Sequence, residues 1–186
     1  DPAFRRALCM AVDKDSYGAI LLNGAGTPTK SAFPSTLSYG DDALFGDVPG
    51  YDPEGARALL RENGYVDTDG DGFLEKDGKK VTIRLIAYTR AGLPQSAQVL
   101  QSALIDLGID TQYEQFESIS QPINSRDFDI CAYSFVTAPT GDPFAFLNNT
   151  MGTGRGGNYG RYSNPEVDAL LNQLATEFDV AKRAEY

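Results

Sequence analysis

Apolar residues recur along the chain at spacings that alternate between helical and strand-like segments. The first helix presents one buried face at i, i+3 and i+4 spacing, formed by Phe4, Ala7, Leu8, Ala11 and Val12. A second helix is predicted after an N-cap at Asp15 or Ser16, and Gly24 is its predicted stop. Residues 24–50 lack periodicity, so we expect an extended surface segment whose aromatic side chains pack on other residues; these are Phe33, Tyr39 and Phe45.

The middle of the chain alternates helices with strands. A short helix is predicted with Asp52 as its N-cap, Pro53 in its first turn and a stop at Gly64. Further helices are predicted over residues 93–108 and 118–125, and strands over residues 80–89, 109–116 and 128–136. The last of these strands is mostly apolar, so both of its faces should be covered. This order of elements predicts an α/β fold in which helices cover a sheet.

The ends of the strands define the first candidate site. Ligands of α/β sheets gather at the carboxyl ends of the strands, which here are residues 88–90 and 135–142. A Gly-rich segment follows over residues 151–164. The last long helix is predicted to begin at Pro165 with Asn164 as its N-cap.

Composition removes several classes of function. With 186 residues and 41% apolar side chains, the chain can fill a core. A formal charge of −10 repels nucleic acid and anionic lipid. The chain contains no histidine, which excludes imidazole metal ligands and Ser-His-Asp or Cys-His catalysis. Nothing approaches the ~18 consecutive apolar residues of a membrane span.

Two cysteines are too few for a disulfide framework. Cys9 and Cys131 both lie in apolar sequence, and we predict two buried free thiols, with a bridge between them as the alternative.

The acidic stretch VDTDGDGFLEKDG, residues 66–78, has the spacing of a calcium loop. Its residues match positions 1, 3, 5, 6 and 9 of that loop, in the order Asp67, Asp69, Asp71, Gly72 and Glu75. Position 12, where such loops carry a bidentate glutamate, is Gly78. Asp-Gly pairs also form tight turns, so the sequence leaves open a turn or a weak structural calcium site.

Five stretches, taken in order, resemble a known family. They are FRRALCMAVDKDSYGAILLNGAGTPTKSAFP, YDPEGARALLRENGYVDTDGDGFLEKDGKKVTIRL, QVLQSALIDLGIDTQYEQ, DFDICAYSF and NYGRYSNPEVDALLNQL. Together they resemble the extracellular solute-binding proteins of family 5, the peptide and nickel receptors of ABC importers. The resemblance implies a lobe of the type II periplasmic-binding-protein fold, with a mixed β-sheet flanked by helices.

The resemblance also implies an architecture and partners. Family members are monomeric two-lobed receptors, held in the periplasm or by a lipid anchor, that close on a solute and deliver it to an inner-membrane ABC permease. Residues 1–186 are then expected to form a single domain, the C-terminal lobe of a longer chain. Because one lobe holds half of the cleft, the isolated lobe should bind solute weakly. No cofactor and no nucleic acid partner are expected.

The same resemblance suggests which residues contact the solute. Phe135 stands where peptide receptors carry a tryptophan, and Ala138 or its neighbour replaces their ammonium-binding aspartate. The expected contacts, none of them to a metal ion, are Tyr88, Arg90, Phe135, Thr137, Ala138, Thr140 and Arg155. Candidate arginines, together with the loss of the ammonium-binding aspartate, suit a ligand rich in carboxylates, such as nickel in an organic chelate. Short peptides remain the competing ligand.

Two other classes of protein remain as alternatives. The acidic loop alone would suit a calcium-braced interaction module of a surface protein. An enzyme would have to use carboxylates such as Asp127, Asp129 and Asp142 in a glycosidase-like pair, although Asp142 is better interpreted as a helix N-cap.

Overall fold

The computed structural model describes residues 1–20, 24–90 and 92–186. These residues divide into two compact units. The sheet unit comprises Asp1–Pro28 and Asp47–Ser134, and the helical unit comprises Thr29–Gly46 and Phe135–Tyr186.

Each unit has its own set of elements. The sheet unit contains α1 Pro2–Met10, α2 Lys14–Ile20, α3 Pro53–Glu62, β1 Glu75–Lys76, β2 Lys79–Lys80, β3 Thr82–Tyr88, α4 Leu93–Asp106, β4 Asp110–Phe116, α5 Ser120–Ser125 and β5 Ile130–Ala132. The helical unit contains a short 3-10 helix Asp42–Phe45, α6 Phe144–Met151, α7 Pro165–Leu174 and α8 Val180–Glu185. Among the helices described, none has both the length and the apolar character needed to cross a lipid bilayer.

The main sheet is built around strand β3. The strand order is β4-β3-β5, and both pairings are parallel. Leu85, Ile86 and Ala87 are fully buried, so both faces of β3 are covered, as parallel strands require. Helix α4 connects β3 to β4, and β1 and β2 form a separate antiparallel pair. The predicted α/β fold with flanking helices is confirmed, but the prediction of one mixed sheet is wrong for the residues described, because the main sheet is wholly parallel and the antiparallel pair is separate from it.

The core joins the first helices to the sheet. Small residues allow α1 to approach α3 closely, since Ala7 and Ala56 are both fully buried. Leu60 and Leu104 extend this cluster towards the sheet, where Ile109 is also fully buried. The apolar face predicted for the first helix therefore lies in this cluster, through Ala7 and Ala11.

Helix caps follow the sequence in α3 and α7 but not in α2. Asp52 accepts a hydrogen bond from the backbone N–H of Gly55 at 2.8 Å, and Asn164 accepts one from Glu166 at 2.9 Å, as predicted for α3 and α7. The prediction of Asp15 or Ser16 as the cap of α2 is wrong. Asp13 instead accepts the N–H of Ser16 at 3.0 Å, because the helix begins at Lys14, two or three residues earlier than expected.

The predicted end of α2 falls partly outside the residues described. Residues 21–23 are not described, and Gly24, the predicted stop, adopts a left-handed conformation with φ of 73°. Such a conformation suits a glycine at the end of a helix.

Strand β5 is shorter than predicted. The sequence suggested a strand over residues 128–136 with both faces covered, but β5 has three residues, all half-buried. The side chain of Asp129 explains the late start, because its Oδ2 accepts the N–H of Arg84 at 2.8 Å in place of a backbone carbonyl. The backbone N–H of Asp129 in turn binds the carbonyl of Arg84 at 2.9 Å.

The two cysteines are free, but the prediction that both are buried is wrong for Cys9. Cys9 lies on α1 two residues from both Ala7 and Ala11, which places it on the opposite, exposed side of the helix. Cys131 is half-buried in β5, and burial raises the pKa of its thiol to about 11.

The long aperiodic segment packs through its aromatic rings. Phe33 is buried in the helical unit, with its ring centroid 5.1 Å from that of Tyr39 and 5.6 Å from that of Phe146. The expectation that these aromatic residues need a packing surface is therefore confirmed for Phe33 and Tyr39.

Replacing Leu104 by alanine tests the core. Leu104 is fully buried, whereas its neighbour Ile105 on the same helix is 42% exposed. We expect Leu104→Ala to lower the free energy of unfolding by about 2–5 kcal/mol in urea denaturation, because it leaves a cavity. Ile105→Ala is the matched control and should cost clearly less; equal losses would contradict the assignment of this face.

Thiol labelling at pH 8 tests the two cysteine environments. Cys9 should react with an aromatic disulfide reagent in the native protein, because it is exposed. Cys131 should react only slowly, since a pKa of about 11 leaves very little thiolate. In Cys9→Ser the fast phase should disappear; a remaining fast phase would show that Cys131 is accessible.

Candidate functional site

Tyr88 marks the carboxyl end of β3. Its ring lies 5.6 Å from the ring of Tyr133, which follows β5 directly. The sheet pairing continues one residue further, since Thr89 donates its N–H to the carbonyl of Phe116 at 2.8 Å. Two tyrosines thus form an aromatic surface where two parallel strands end. The sequence identified Tyr88, but not its contact with Tyr133.

Arg90 follows this edge as an exposed residue. Its carbonyl accepts the N–H of Leu93, the first residue of α4, at 3.1 Å. Among the ion pairs found over the described ranges, none includes Arg90. Its guanidinium is therefore an available donor for a carboxylate.

A polar group on the neighbouring strand was missed by the sequence analysis. The hydroxyl of Tyr113 donates to Gln115 at 3.2 Å, and the amide of Gln115 donates to the hydroxyl of Thr89 at 3.2 Å. Burial raises the pKa of Tyr113. Side chains alternate along a strand, so Tyr113 and Gln115 lie on the same face of β4. This alternation was the feature of the sequence from which the group could have been predicted. Amide and hydroxyl groups here can both donate to and accept from a polar solute.

Two of the carboxylates considered for an enzyme, Asp127 and Asp129, serve structural roles in the sheet unit. Asp127 and Glu114 both bind the guanidinium of Arg84, Glu114 at 2.7 Å, and these two partners raise the pKa of Arg84. Asp129 holds the backbone of the same residue. Both aspartates are therefore bound to Arg84, and they do not form a pair of free carboxylates.

In the helical unit, Phe135 is part of an aromatic cluster. Its ring lies 5.4 Å from that of Phe146, which also contacts Phe33. The side chain is nevertheless 41% exposed, so part of its surface remains open to a ligand. Stacking on Phe146 holds the ring in place.

The segment after Phe135 forms a tight turn. Gly141 donates its N–H to the carbonyl of Ala138 at 3.1 Å and has φ of 76°, a conformation that favours glycine. The hydroxyl of Tyr39 binds the carbonyl of Gly141 and fixes the turn. Thr137 and Ala138 are half-buried, and Thr140 is exposed.

Asp142 serves as a structural anchor. One carboxylate oxygen accepts the N–H of Phe144 at 2.9 Å at the start of α6. The other binds the guanidinium of Arg183 on α8. Pro143 is formally the cap residue, but Asp142 supplies the capping hydrogen bond, so its interpretation as a helix cap is supported over a ligand contact.

The Gly-rich loop that carries Arg155 is organised by Asn158. This asparagine is 3% exposed and binds the carbonyls of Gly152 at 3.0 Å and Tyr162 at 2.7 Å. Its side-chain oxygen accepts the N–H of Tyr162 at 2.9 Å. These bonds hold both ends of the loop, and Arg155 lies exposed between them.

Arg155 lines a cavity of about 260 Å³ in the helical unit, together with Asn148, Gly152, Thr153, Gly154, Asp168, Leu171 and Asn172. Asp168 accepts the N–H of Thr153 at 2.9 Å. Hydrogen bonds from Thr153 lower the pKa of Asp168, and the positive charge of Arg155 adds to this effect. Arg155 therefore already interacts with a carboxylate of the protein.

Comparison with known proteins identifies the family. The profile of the bacterial extracellular solute-binding proteins, family 5 Middle, matches residues 1–158. Since this is most of the chain, the chain belongs to that family. Its relatives are solute-binding receptors rather than enzymes, and the alternative of a calcium-braced interaction module is not supported.

Individual relatives agree with this assignment. The oligopeptide-binding protein AppA of Bacillus subtilis is 31% identical over 96% of this chain and 34% of its own length. The nickel-binding protein NikA of Staphylococcus aureus is 29% identical over 96% of this chain and 34% of its own length. The chain thus spans about a third of the length of these curated relatives.

Solved structures share the fold. The structure of NikA from Staphylococcus aureus with Ni(L-His)2 superposes with a TM-score of 0.84 at 29% identity, covering 98% of this chain and 37% of that one. AppA from Bacillus subtilis with a nonapeptide gives a TM-score of 0.81 at 28% identity, covering 100% of this chain and 38% of that one. The predicted type II periplasmic-binding-protein fold is therefore confirmed.

Replacing Asn158 tests how firmly the loop around Arg155 is held. Asn158→Ala removes three hydrogen bonds from a buried site. We expect the free energy of unfolding to fall by about 1–3 kcal/mol, because backbone groups lose their partners. Asn172→Ala is the control, since Asn172 lines the same cavity but is exposed. A similar loss in both variants would show that Asn158 does not organise the loop.

Proposed function

We propose that this chain is the C-terminal lobe of a two-lobed extracellular receptor that captures a nickel chelate or a short peptide for an ABC importer. The observation that carries the proposal is the family match over residues 1–158, together with folds shared with a nickel-binding and a peptide-binding protein. The full-length receptor is proposed to act as a monomer outside the cytoplasmic membrane, anchored by lipid or free in a periplasm, and to bind without turnover.

The chemistry at the strand ends supports binding of an organic solute. Tyr88 and Tyr133 offer aromatic surface, while Thr89 and Gln115 offer hydrogen-bonding groups. A mixture of this kind suits amide, carboxylate or chelate groups, since the aromatic rings exclude water and the polar groups select orientation.

The arginines make a carboxylate-bearing solute the favoured ligand. Arg90 is exposed and lacks an ion-pair partner within the part of the chain that is described, whereas Arg155 lies near Asp168. We therefore propose Arg90 as the stronger carboxylate contact, and Arg155 as a weaker one. In the helical unit, Phe135, Thr137, Ala138 and Thr140 are the proposed further contacts.

The residue Ala138 separates the two ligand classes. Alanine carries no charge, so the α-ammonium of a bound peptide would lack the aspartate partner expected in peptide receptors. This favours the nickel chelate. Short peptides stay as the second candidate, because a peptide-binding relative is 31% identical and the other lobe can supply contacts.

A ligand screen on the full-length receptor tests the proposal. Di- to pentapeptides, nickel with histidine and nickel with a polycarboxylate are compared by thermal shift and isothermal titration calorimetry. We expect the nickel chelates to raise the melting temperature most. Stronger binding of peptides would show that the inference from Ala138 is wrong, and binding of neither class would contradict the proposed function.

Arginine variants locate the contact. Arg90→Ala should weaken binding of the best ligand by about 10- to 100-fold, because a charge-assisted hydrogen bond is lost. Arg155→Ala should have a smaller effect. Arg61→Ala, an exposed arginine on α3, is the control and should leave the affinity unchanged. An effect of Arg90→Ala no larger than that of Arg61→Ala would exclude Arg90 from the site.

A further inference from the structure

The acidic loop closes on itself instead of leading into a helix. Val66 and Glu75 form an antiparallel bridge, with N–H to carbonyl distances of 3.1 Å and 2.8 Å. Asp67 accepts the N–H groups of Gly70 at 2.7 Å and Gly72 at 3.0 Å. The predicted tight turns are therefore present. The bridge also returns the end of the loop to its beginning, which the sequence alone did not indicate.

This closure brings four carboxylates together. Asp67, Asp69, Asp71 and Glu75 each place one oxygen within 4.8 Å of the others. In the sequence, the missing glutamate at position 12 argued against a complete set of ligands. The bridge changes that conclusion, because it turns Glu75 towards the three aspartates without a residue at position 12.

Glu75 provides an independent sign of a ligand. Its side chain is 7% exposed, and its Oε2 accepts the N–H and the hydroxyl of Thr68, both at 2.7 Å. Its Oε1 is the one buried side-chain oxygen or nitrogen among the residues described that has no hydrogen-bond partner. A buried carboxylate oxygen without a partner is costly, and a bound cation would remove that cost.

We propose that Asp67, Asp69, Asp71 and Glu75 bind one calcium ion. All four offer oxygen ligands, which calcium prefers, and the cluster contains no nitrogen or sulfur ligand that would favour nickel or zinc. Calcium takes six to eight oxygens in flexible geometry, so backbone carbonyls and water complete the shell. Magnesium requires a stricter octahedron and usually keeps several waters, so it is a poorer match for four protein carboxylates. The inference does not depend on the proposed solute-binding function.

Lys80 contacts one carboxylate of this cluster. Its ammonium binds Asp71 and lies 4.6 Å from the ring centroid of Phe73. The hydrogen bond from Lys80 lowers the pKa of Asp71. Because the ammonium already binds one carboxylate oxygen of Asp71, calcium must displace the ammonium or bind the other oxygen of Asp71.

The position of the loop gives the ion a structural role. Leu74 donates its N–H to the carbonyl of Gly108 at 2.7 Å, and Val81 donates to the carbonyl of Leu74 at 2.8 Å. Gly108 precedes β4 and Val81 precedes β3. Calcium bound to the loop therefore braces the amino ends of both strands.

Calorimetric titration of calcium chloride into the chelator-treated full-length protein tests the proposal. We expect one calcium per protein and a melting temperature higher by about 2 °C or more at ~100 times the dissociation constant. Magnesium chloride and nickel chloride should bind more weakly. Absence of calcium binding at about 10 mM, above the weakest affinities of extracellular sites, would overturn the proposal. Equal binding of magnesium would also overturn it.

Variants then assign the ligands. Asp69→Asn and Glu75→Gln should each weaken calcium binding about tenfold or more. Asp69 is exposed, so its variant keeps the test valid even where Glu75→Gln fails to fold. Lys80→Met should strengthen binding, because a competing cation is removed.

Asp77→Asn is the matched control. Asp77 lies two residues from Glu75 but outside the cluster, and its φ of 53° is one that asparagine also adopts. This variant removes the same charge and should leave calcium affinity unchanged. A loss equal to that of Asp69→Asn would show diffuse attraction in place of a site and would overturn the proposal.

Discussion

The burial of β3 between β4 and β5 is the constraint on which the sheet unit depends. Leu85, Ile86 and Ala87 are fully buried, so both faces of the strand must be covered, and it has a parallel partner on each edge. The same pairing sets the position of the candidate site. Because parallel strands end at one edge, the register that aligns the strands also brings Tyr88 next to Tyr133.

The two ends of the central strands have different chemistry. The carboxyl end carries aromatic and neutral polar groups with an exposed arginine, which suits an organic solute. The amino end is joined to the acidic loop through Leu74, and its carboxylates suit a hard cation. The proposed solute site thus lies at one end of the sheet, and the proposed calcium site lies at the other.

Local features were predictable from the sequence, and features set by distant pairing were not. The caps at Asp52 and Asn164 depend on neighbouring residues and were found. The length of β5 was missed, because a side chain, Asp129, takes a position in the strand pairing. The convergence of the acidic loop was left open for a similar reason, since it requires the bridge between Val66 and Glu75. Of the candidate site, Tyr88 and Arg90 were named, but their neighbours on other strands were not.

Amide hydrogen exchange of the full-length receptor, with and without its best-binding solute, tests the central claim most directly. We predict slower exchange at residues 88–90, where β3 ends, and at the proposed contacts within residues 135–142 of the helical unit, with no change at the acidic loop over residues 66–78. Protection confined to other segments, with residues 88–90 unchanged, would contradict the assignment of the solute site to the carboxyl ends of the sheet.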